Sequence, residues 1–171
     1  MSLETKKSAF KLRFYPDAVL RRKALPVNDV DGSVRDLMDG MSEIMYTHNG
    51  VGLAAPQAGV LQRVIIADVG EGLITLANPE ILQKEGEDRL EEGCLSLPEI
   101  QVNIARSQSI LVRGINPEGK EVRHELSGLM GRIIQHEIDH LNGILIIDYA
   151  SASEKILLRK KLKELRKQYK L

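Results

Sequence analysis

The chain reads as one amphipathic helix, then a block of short strands, then two more helices. That is the plan of a single mixed domain with helices and strands segregated along the sequence. Three observations predict it. Apolar residues recur at helical offsets in separate stretches, strand-like runs punctuated by Gly and Pro fill the middle, and no repeat or low-complexity linker divides the chain. A length of 171 residues, 43% hydrophobic and 28% charged, suits one globular domain.

Val34, Leu37, Met38, Met41, Ile44 and Met45 share one helical face after a candidate N-cap at Ser33, and Asn49-Gly50 ends that helix. A glycine-punctuated loop over 50–57 leads to a strand at 64–69, and further strands are expected at 73–77, 81–84, 108–115 and 121–126. The last two flank Asn116-Pro117-Glu118-Gly119, whose Pro and Gly suit a type I turn and a hairpin. Beyond Ser127, Leu126, Leu129, Met130, Ile133, Ile134, Ile138 and Leu141 form a broad apolar helix face, opposed by a narrow stripe of Gly128, Arg132, Gln135, Asp139 and Asn142. So wide a face needs cover on most sides, which makes this the central buried helix. Asn142-Gly143 is a left-handed stop signal, 144–149 reads as a strand, and Ser151 with Glu154 forms a capping box that opens the last helix. Leu158, Leu162, Leu165 and Tyr169 share one face of it.

Equal counts of 24 basic and 24 acidic residues exclude a uniformly basic wrapper of nucleic acid, and 4% aromatics without Trp argue against base stacking. The lone Cys94 cannot form an internal disulfide, and no apolar run approaches the ~18 residues of a membrane span. Lys6 and Lys7 are not followed by an apolar segment, so no secretory signal is expected and the cytoplasm is the expected compartment. The neutral total hides an asymmetry. Residues 154–171 hold eight Lys or Arg against Glu154 and Glu164, a surplus of six positive charges that the other 153 residues balance. A solvated helix face is the usual reading of such a run.

On the central helix, His136-Glu137-Ile138-Asp139-His140 is a His-Glu-x-x-His motif. Residues i and i+4 lie about 40° apart around a helix, so both imidazoles can grip one metal ion while Glu137 reaches a water beside it. Catalytic sites of this type take three protein ligands and leave a further position open. Cys94, behind Gly93, is the best third candidate, since a thiolate suits a borderline-soft divalent ion; an inert buried thiol is the alternative. His48 and His124 read as solvated side chains near element ends.

Three blocks, Gly50-Val-Gly-Leu-Ala-Ala-Pro-Gln57, Glu92-Gly-Cys-Leu-Ser96 and Gln135-His-Glu-Ile-Asp-His-Leu-Asn-Gly143, resemble the signature motifs of bacterial peptide deformylases in order and spacing. The resemblance runs from about Phe14 to Tyr149 and takes in Pro16-Asp17 and Leu20-Arg21. It implies an α+β fold in which antiparallel strands wrap a central metal-binding helix, with an N-terminal and a C-terminal helix. The layout is then a single domain: an extension over 1–13, a catalytic body over 14–150 and a basic helix over 151–171. The implied activity is removal of the formyl group from the N-terminal formylmethionine of new polypeptides. By the same resemblance Cys94, His136 and His140 are the metal ligands, with Fe²⁺ as the native ion and Zn²⁺, Ni²⁺ or Co²⁺ able to occupy the site. Glu137 is the carboxylate that takes the water proton and delivers it to the departing amine, and the Gln57 amide and Leu95 N–H are the oxyanion donors.

The resemblance further implies a peptide bound as an added strand against Val51, Gly52 and Gly93, with its methionine side chain among Val51, Leu129 and Ile133. Some members carry an arginine soon after the cysteine block, where this chain has Ile100-Gln101. The basic C-terminal helix is implied to dock on the ribosome near the nascent-chain exit. Three other readings stay open on residues alone: a Cys-nucleophile amidohydrolase, a His-Glu-x-x-His peptidase, and a structural metal in a basic-tailed binding module.

Overall fold

The computed structural model describes residues 9–170; Lys6, Lys7 and most of the expected N-terminal extension lie outside the described residues. Helix α1 (Gly32–Thr47) starts two residues earlier than expected, because Asp31 rather than Ser33 caps it. The Asp31 carboxylate accepts the Val34 N–H at 3.0 Å and the Ser33 hydroxyl at 2.7 Å. Every apolar residue assigned to its inner face is buried.

Seven antiparallel strands follow: β1 (Gly52–Ala54), β2 (Val64–Ala67), β3 (Ile74–Glu85), β4 (Asp88–Cys94), β5 (Leu97–Arg106), β6 (Ser109–Ile115) and β7 (Glu121–Ser127). Five form a sheet in the order β1-β2-β3-β6-β7, and β4 with β5 forms a separate two-stranded ribbon. The β6–β7 hairpin turns as expected, with the Gly119 N–H donating to Asn116 O at 2.9 Å.

The loop expected over 50–57 contains β1 and a 3-10 turn, Ala55–Ala58, and three further expectations change. The strands expected at 73–77 and 81–84 are one strand, β3. Pro79, which has no N–H for a ladder, sits in a register shift between Ala77 and Glu80. Asn78, at φ 50°, turns its side chain onto Val27, accepting its N–H and donating to its carbonyl, both at 2.8 Å. Segment 144–149 is not a strand but ends in a 3-10 turn, Ile146–Tyr149, because Asp148 accepts the Leu145 N–H at 2.9 Å and curls the chain. The third change adds β4 and β5. In β5, Ile100, Val102 and Ile104 alternate inward as a half-buried strand should.

Helix α2 (Gly128–Leu141) follows β7, and helix α3 (Ala152–Gln168) ends the fold with the Ser151–Glu154 capping box in place. Strand β2 is buried on both faces: Val64 and Ile66 pack with α1, while Ile65 and Ala67 pack with α2. On its far side α2 meets the β4–β5 ribbon, so antiparallel strands wrap it on opposite sides. Its polar residues Arg132, Gln135, His136 and Glu137 are consequently buried too. Two residues of its apolar stripe depart: Leu126 lies in β7, before the helix begins, and Leu129, in the first turn, is 56% exposed. Gly143 at φ 72° stops the helix, and a Cβ there would lie 2.5 Å from the Arg21 carbonyl, so only glycine fits. Helix α3 packs Leu158 and Leu165 into a core cluster with Leu97, Val102 and Ile104 of β5.

Candidate metal centre

Helical geometry puts His136 and His140 on one face of α2, and the end of β4 brings Cys94 up to them. His140 Nε2 lies 3.2 Å from His136 Nε2 and 3.4 Å from Cys94 Sγ. These residues form a Cys-His-His group whose ligand atoms all lie within 4.8 Å of one another. A tetrahedral site, with bonds of about 2.0–2.1 Å to nitrogen and 2.3 Å to sulfur, has N···N edges of about 3.3 Å and N···S edges of about 3.6 Å. The observed edges are within a few tenths of an ångström of those values, and the donor set suits a divalent transition metal.

The histidines are held differently. His136 Nδ1 donates to Glu92 Oε1 at 2.9 Å, which turns Nε2 toward the cluster. Burial pulls its imidazole down, but hydrogen bonds with Cys94 and Glu92 outweigh that and hold it well above its usual value. His140 is pushed well below its usual value, by burial first and then by the charge on His136, so it stays a neutral donor. Its buried Nδ1 has no protein partner.

The Glu92 carboxylate is the hub of a buried charge network absent from the sequence reading. It accepts Arg106 Nε at 2.7 Å and Nη2 at 2.9 Å, and Arg132 Nη1 at 2.7 Å. Burial would raise its carboxyl, yet the His136 and Arg106 hydrogen bonds and charges lower it to about 2. Arg132 also donates to the carbonyls of Ile104 and Asp88, and Arg106 Nη1 donates to Asp139 Oδ2 at 2.8 Å. Two cations and two carboxylates thus compensate one another behind the histidines.

Glu137 lines a cleft of about 400 Å³ between β1, β4 and α2, together with Glu92, Cys94, Arg132 and His136. Its Oε2 is buried without a partner, and burial pushes its carboxyl up to about 7 against the pull of His136 and Arg106. A Cβ at Gly52 would lie 2.6 Å from Glu137 Oε1, which accounts for the glycine there. Gln57, in the 3-10 turn Ala55–Ala58 after β1, accepts the Ala54 N–H on its oxygen at 2.9 Å. Its amide donates to Ser96 Oγ at 3.1 Å and to Cys94 Sγ at 3.5 Å. Val51, Gly52, Gly93, Leu95, Leu129 and Ile133 all line the cleft. Leu90, which the sequence reading did not select, joins them, and the exposed side chains of Val51, Leu90 and Leu129 form an apolar mouth. Ser96, the last residue of the cysteine block, holds the Gln57 amide beside Cys94.

The polypeptide deformylase family profile matches residues 9–156. A peptide deformylase of Thermodesulfovibrio yellowstonii is 47% identical over 158 residues, covering 90% of this chain and 96% of that one. The crystal structure of the Thermotoga maritima peptide deformylase superposes with a TM-score of 0.80 at 48% identity, covering 83% of this chain and 97% of that one. The Legionella pneumophila enzyme gives 0.87 at 37% identity, covering 93% and 96%. The chain thus shares its fold over most of its length with solved peptide deformylases, and it belongs to the peptide deformylases, a family of metal-dependent hydrolases.

Proposed function

We propose that the chain hydrolyses the formyl amide of N-terminal formylmethionine on newly made polypeptides, releasing formate, with Glu137 as its proton carrier. The observation that carries this reading is a partnerless Glu137 carboxylate oxygen beside the convergent Cys94, His136 and His140, on the floor of an apolar cleft. A divalent ion held by those three residues supplies a Lewis acid for the formyl carbonyl and for the attacking water. Ligand type suits Fe²⁺, Zn²⁺, Ni²⁺ or Co²⁺, and we assign Fe²⁺ as the native ion from the family resemblance.

Glu137 accepts the proton of the attacking water at a carboxylate oxygen and returns it to the amine nitrogen as the C–N bond breaks. Burial raises the Glu137 carboxyl to about 7, and a cation held by Cys94, His136 and His140 would favour the ionised form that a base needs. The Gln57 oxygen is fixed by Ala54, so the amide N–H₂ points toward Cys94 and Ser96, where it donates to the developing oxyanion with the Leu95 N–H. Loss of one such donor costs about 10²–10³ in rate. Among the described residues strand β1 pairs only with β2 and leaves its other edge to the cleft, which supports a peptide added as a strand between Val51-Gly52 and Gly93. The methionine side chain then enters between Val51, Leu129 and Ile133.

Formate release from formyl-Met-Ala-Ser, with and without a chelator, tests this directly. Chelator-sensitive release from the formylated peptide alone is expected; internal cleavage without formate would overturn it. The 3.4 Å contact between Cys94 Sγ and His140 Nε2 would also serve a thiolate nucleophile, and full activity in metal-stripped protein would favour that reading instead.

A nascent-chain substrate assigns the enzyme to the cytoplasm, and α3 is the surface by which it would meet ribosomal phosphates. Arg166 is turned back onto the Tyr15 hydroxyl at 2.6 Å and Lys161 onto the Glu99 carbonyl at 3.1 Å, while Lys160, Lys163 and Lys167 are exposed. Removing the helix would also strip Leu158 and Leu165 from the core, so reversing those three exposed charges to Glu is the cleaner test. Salt-sensitive ribosome binding should fall with turnover of small formyl peptides intact; unchanged binding refutes the docking role.

A further inference from the structure

Tyr149 lies at the end of the 3-10 turn, 41% exposed, and two contacts tie it to the charge network. Its hydroxyl donates to Asp139 Oδ2 at 2.6 Å, and its ring lies under the Arg106 guanidinium, 5.2 Å from centroid to carbon. The same Asp139 oxygen accepts Arg106 Nη1 at 2.8 Å. The guanidinium is planar and rigid, so fixing that edge and that face also fixes its opposite edge. The opposite edge, Nε and Nη2, is the fork that grips both oxygens of Glu92, and Glu92 in turn holds His136 Nδ1. Five side chains therefore run in unbroken contact from a half-exposed phenol to the histidine that faces the metal site.

Tyr149 is itself anchored. Arg21 grips the neighbouring Asp148 with two bonds, at 2.6 and 3.0 Å, and donates to Gly143 O at 3.3 Å, pinning the turn to the end of α2. Burial and the Asp139 carboxylate push the phenol up to about 12, so it remains a donor. On this side a second, polar cavity of about 480 Å³ reaches Arg106, Asp139 and Tyr149. Water there would hydrate Asp139 and compete for Arg106 if the phenol let go.

We propose that Tyr149 is a positioning residue for His136, acting through Asp139, Arg106 and Glu92 to keep the imidazole aimed at the metal. It rests on the metal-centre reading of Cys94, His136 and His140. Partners directly behind a metal-bound histidine are worth about 10–100-fold in metal affinity, and a member three contacts further out should be worth less.

The test compares metal-loaded wild type with Tyr149→Phe, which keeps the ring and removes the hydroxyl, and with Tyr149→Phe in an Asp139→Asn background. The readouts are the rate of metal loss to a chelator, kcat and KM for formyl-Met-Ala-Ser, and the melting temperature. Tyr149→Phe should lose metal about three- to tenfold faster and lower kcat with KM unmoved, and it should add nothing once Asp139 is Asn. Metal loss and kcat like wild type, with or without a lower melting temperature, would make Tyr149 merely structural and overturn the proposal. So would effects that add in the double variant. Should Asp139→Asn not fold, metal loss from Tyr149→Phe alone decides. Wild type that carries no metal would instead sink the metal-centre reading, which keeps the two failures distinct.

Discussion

Replacing Glu92 with Gln keeps the length of the side chain and removes one negative charge from the network behind the histidines. In the native protein the Glu92 carboxylate accepts four hydrogen bonds, from Arg106 Nε and Nη2, Arg132 Nη1 and His136 Nδ1. Held at about 2, it is ionised throughout the working range, so its full charge is lost. Either orientation of the new amide turns N–H₂ toward two donors. In place of Oε2 it meets Arg106 Nε and Arg132 Nη1. In place of Oε1 it meets Arg106 Nη2 and His136 Nδ1, and the imidazole can relieve that clash only by moving its proton to Nε2, the atom that faces the metal site.

Breaking a buried ion pair from one side costs about 3–5 kcal/mol, a large part of the 5–15 kcal/mol that holds a domain of this kind together. At about 2–4 °C per kcal/mol, the metal-free protein should melt roughly 6–20 °C lower than metal-free wild type. The gain in melting temperature on adding metal should shrink as well, because affinity falls about 10–100-fold when a histidine loses the partner behind it. Calorimetry on stripped and metal-loaded protein separates the two effects. A stripped Glu92→Gln protein within about 2 °C of stripped wild type would refute the claim that Glu92 compensates two buried cations.

Gly52→Ala puts a methyl group 2.6 Å from both Glu137 Oε1 and Ile133 Cγ2, so kcat should fall about 10²-fold while metal content by mass spectrometry stays at wild type; unchanged turnover would count against Glu137 as the proton carrier. Asp148 sits below its usual 3.8 because Arg21 and the Leu145 N–H outweigh its burial. A lowered carboxyl adds stability above that usual value and loses it as pH falls through the lowered one, so Arg21→Met should lower the melting temperature near neutrality and converge on wild type in strong acid; a gap that persists in acid contradicts the pairing. Leu165→Ala removes a buried anchor between α3 and β5 and should cost about 2–5 kcal/mol in urea unfolding, whereas a helix merely appended to the body would lose under about 0.5 kcal/mol.

What the sequence makes legible follows the range of the interactions involved. His136 and His140 are paired by helical geometry alone, the Asn116–Gly119 turn by local backbone preference, and the Ser151–Glu154 box by a three-residue reach, and all three stand in the structure. The charge network could not be read in that way. Glu92 follows another glutamate on a strand whose neighbours are mostly exposed, Arg106 ends a different strand, and Arg132 and Asp139 look like the wet side of an amphipathic helix.

The clue lay in a conflict between two readings of α2. Its apolar face is wide enough to require cover on most sides, yet its narrow stripe carries Arg132, Gln135 and Asp139. A covered helix leaves that stripe little water, so its polar groups must find protein partners of opposite character. Gln135 does so by exchanging hydrogen bonds with both backbone groups of Ser107, while Arg132 and Asp139 reach Glu92 and Arg106. The stripe that reads as solvent-facing is therefore the seam by which the β4–β5 ribbon is fastened to α2. That fastening brings Cys94, at the end of β4, up to the two histidines, so the residues that escaped the sequence reading are those that assemble the ones it found.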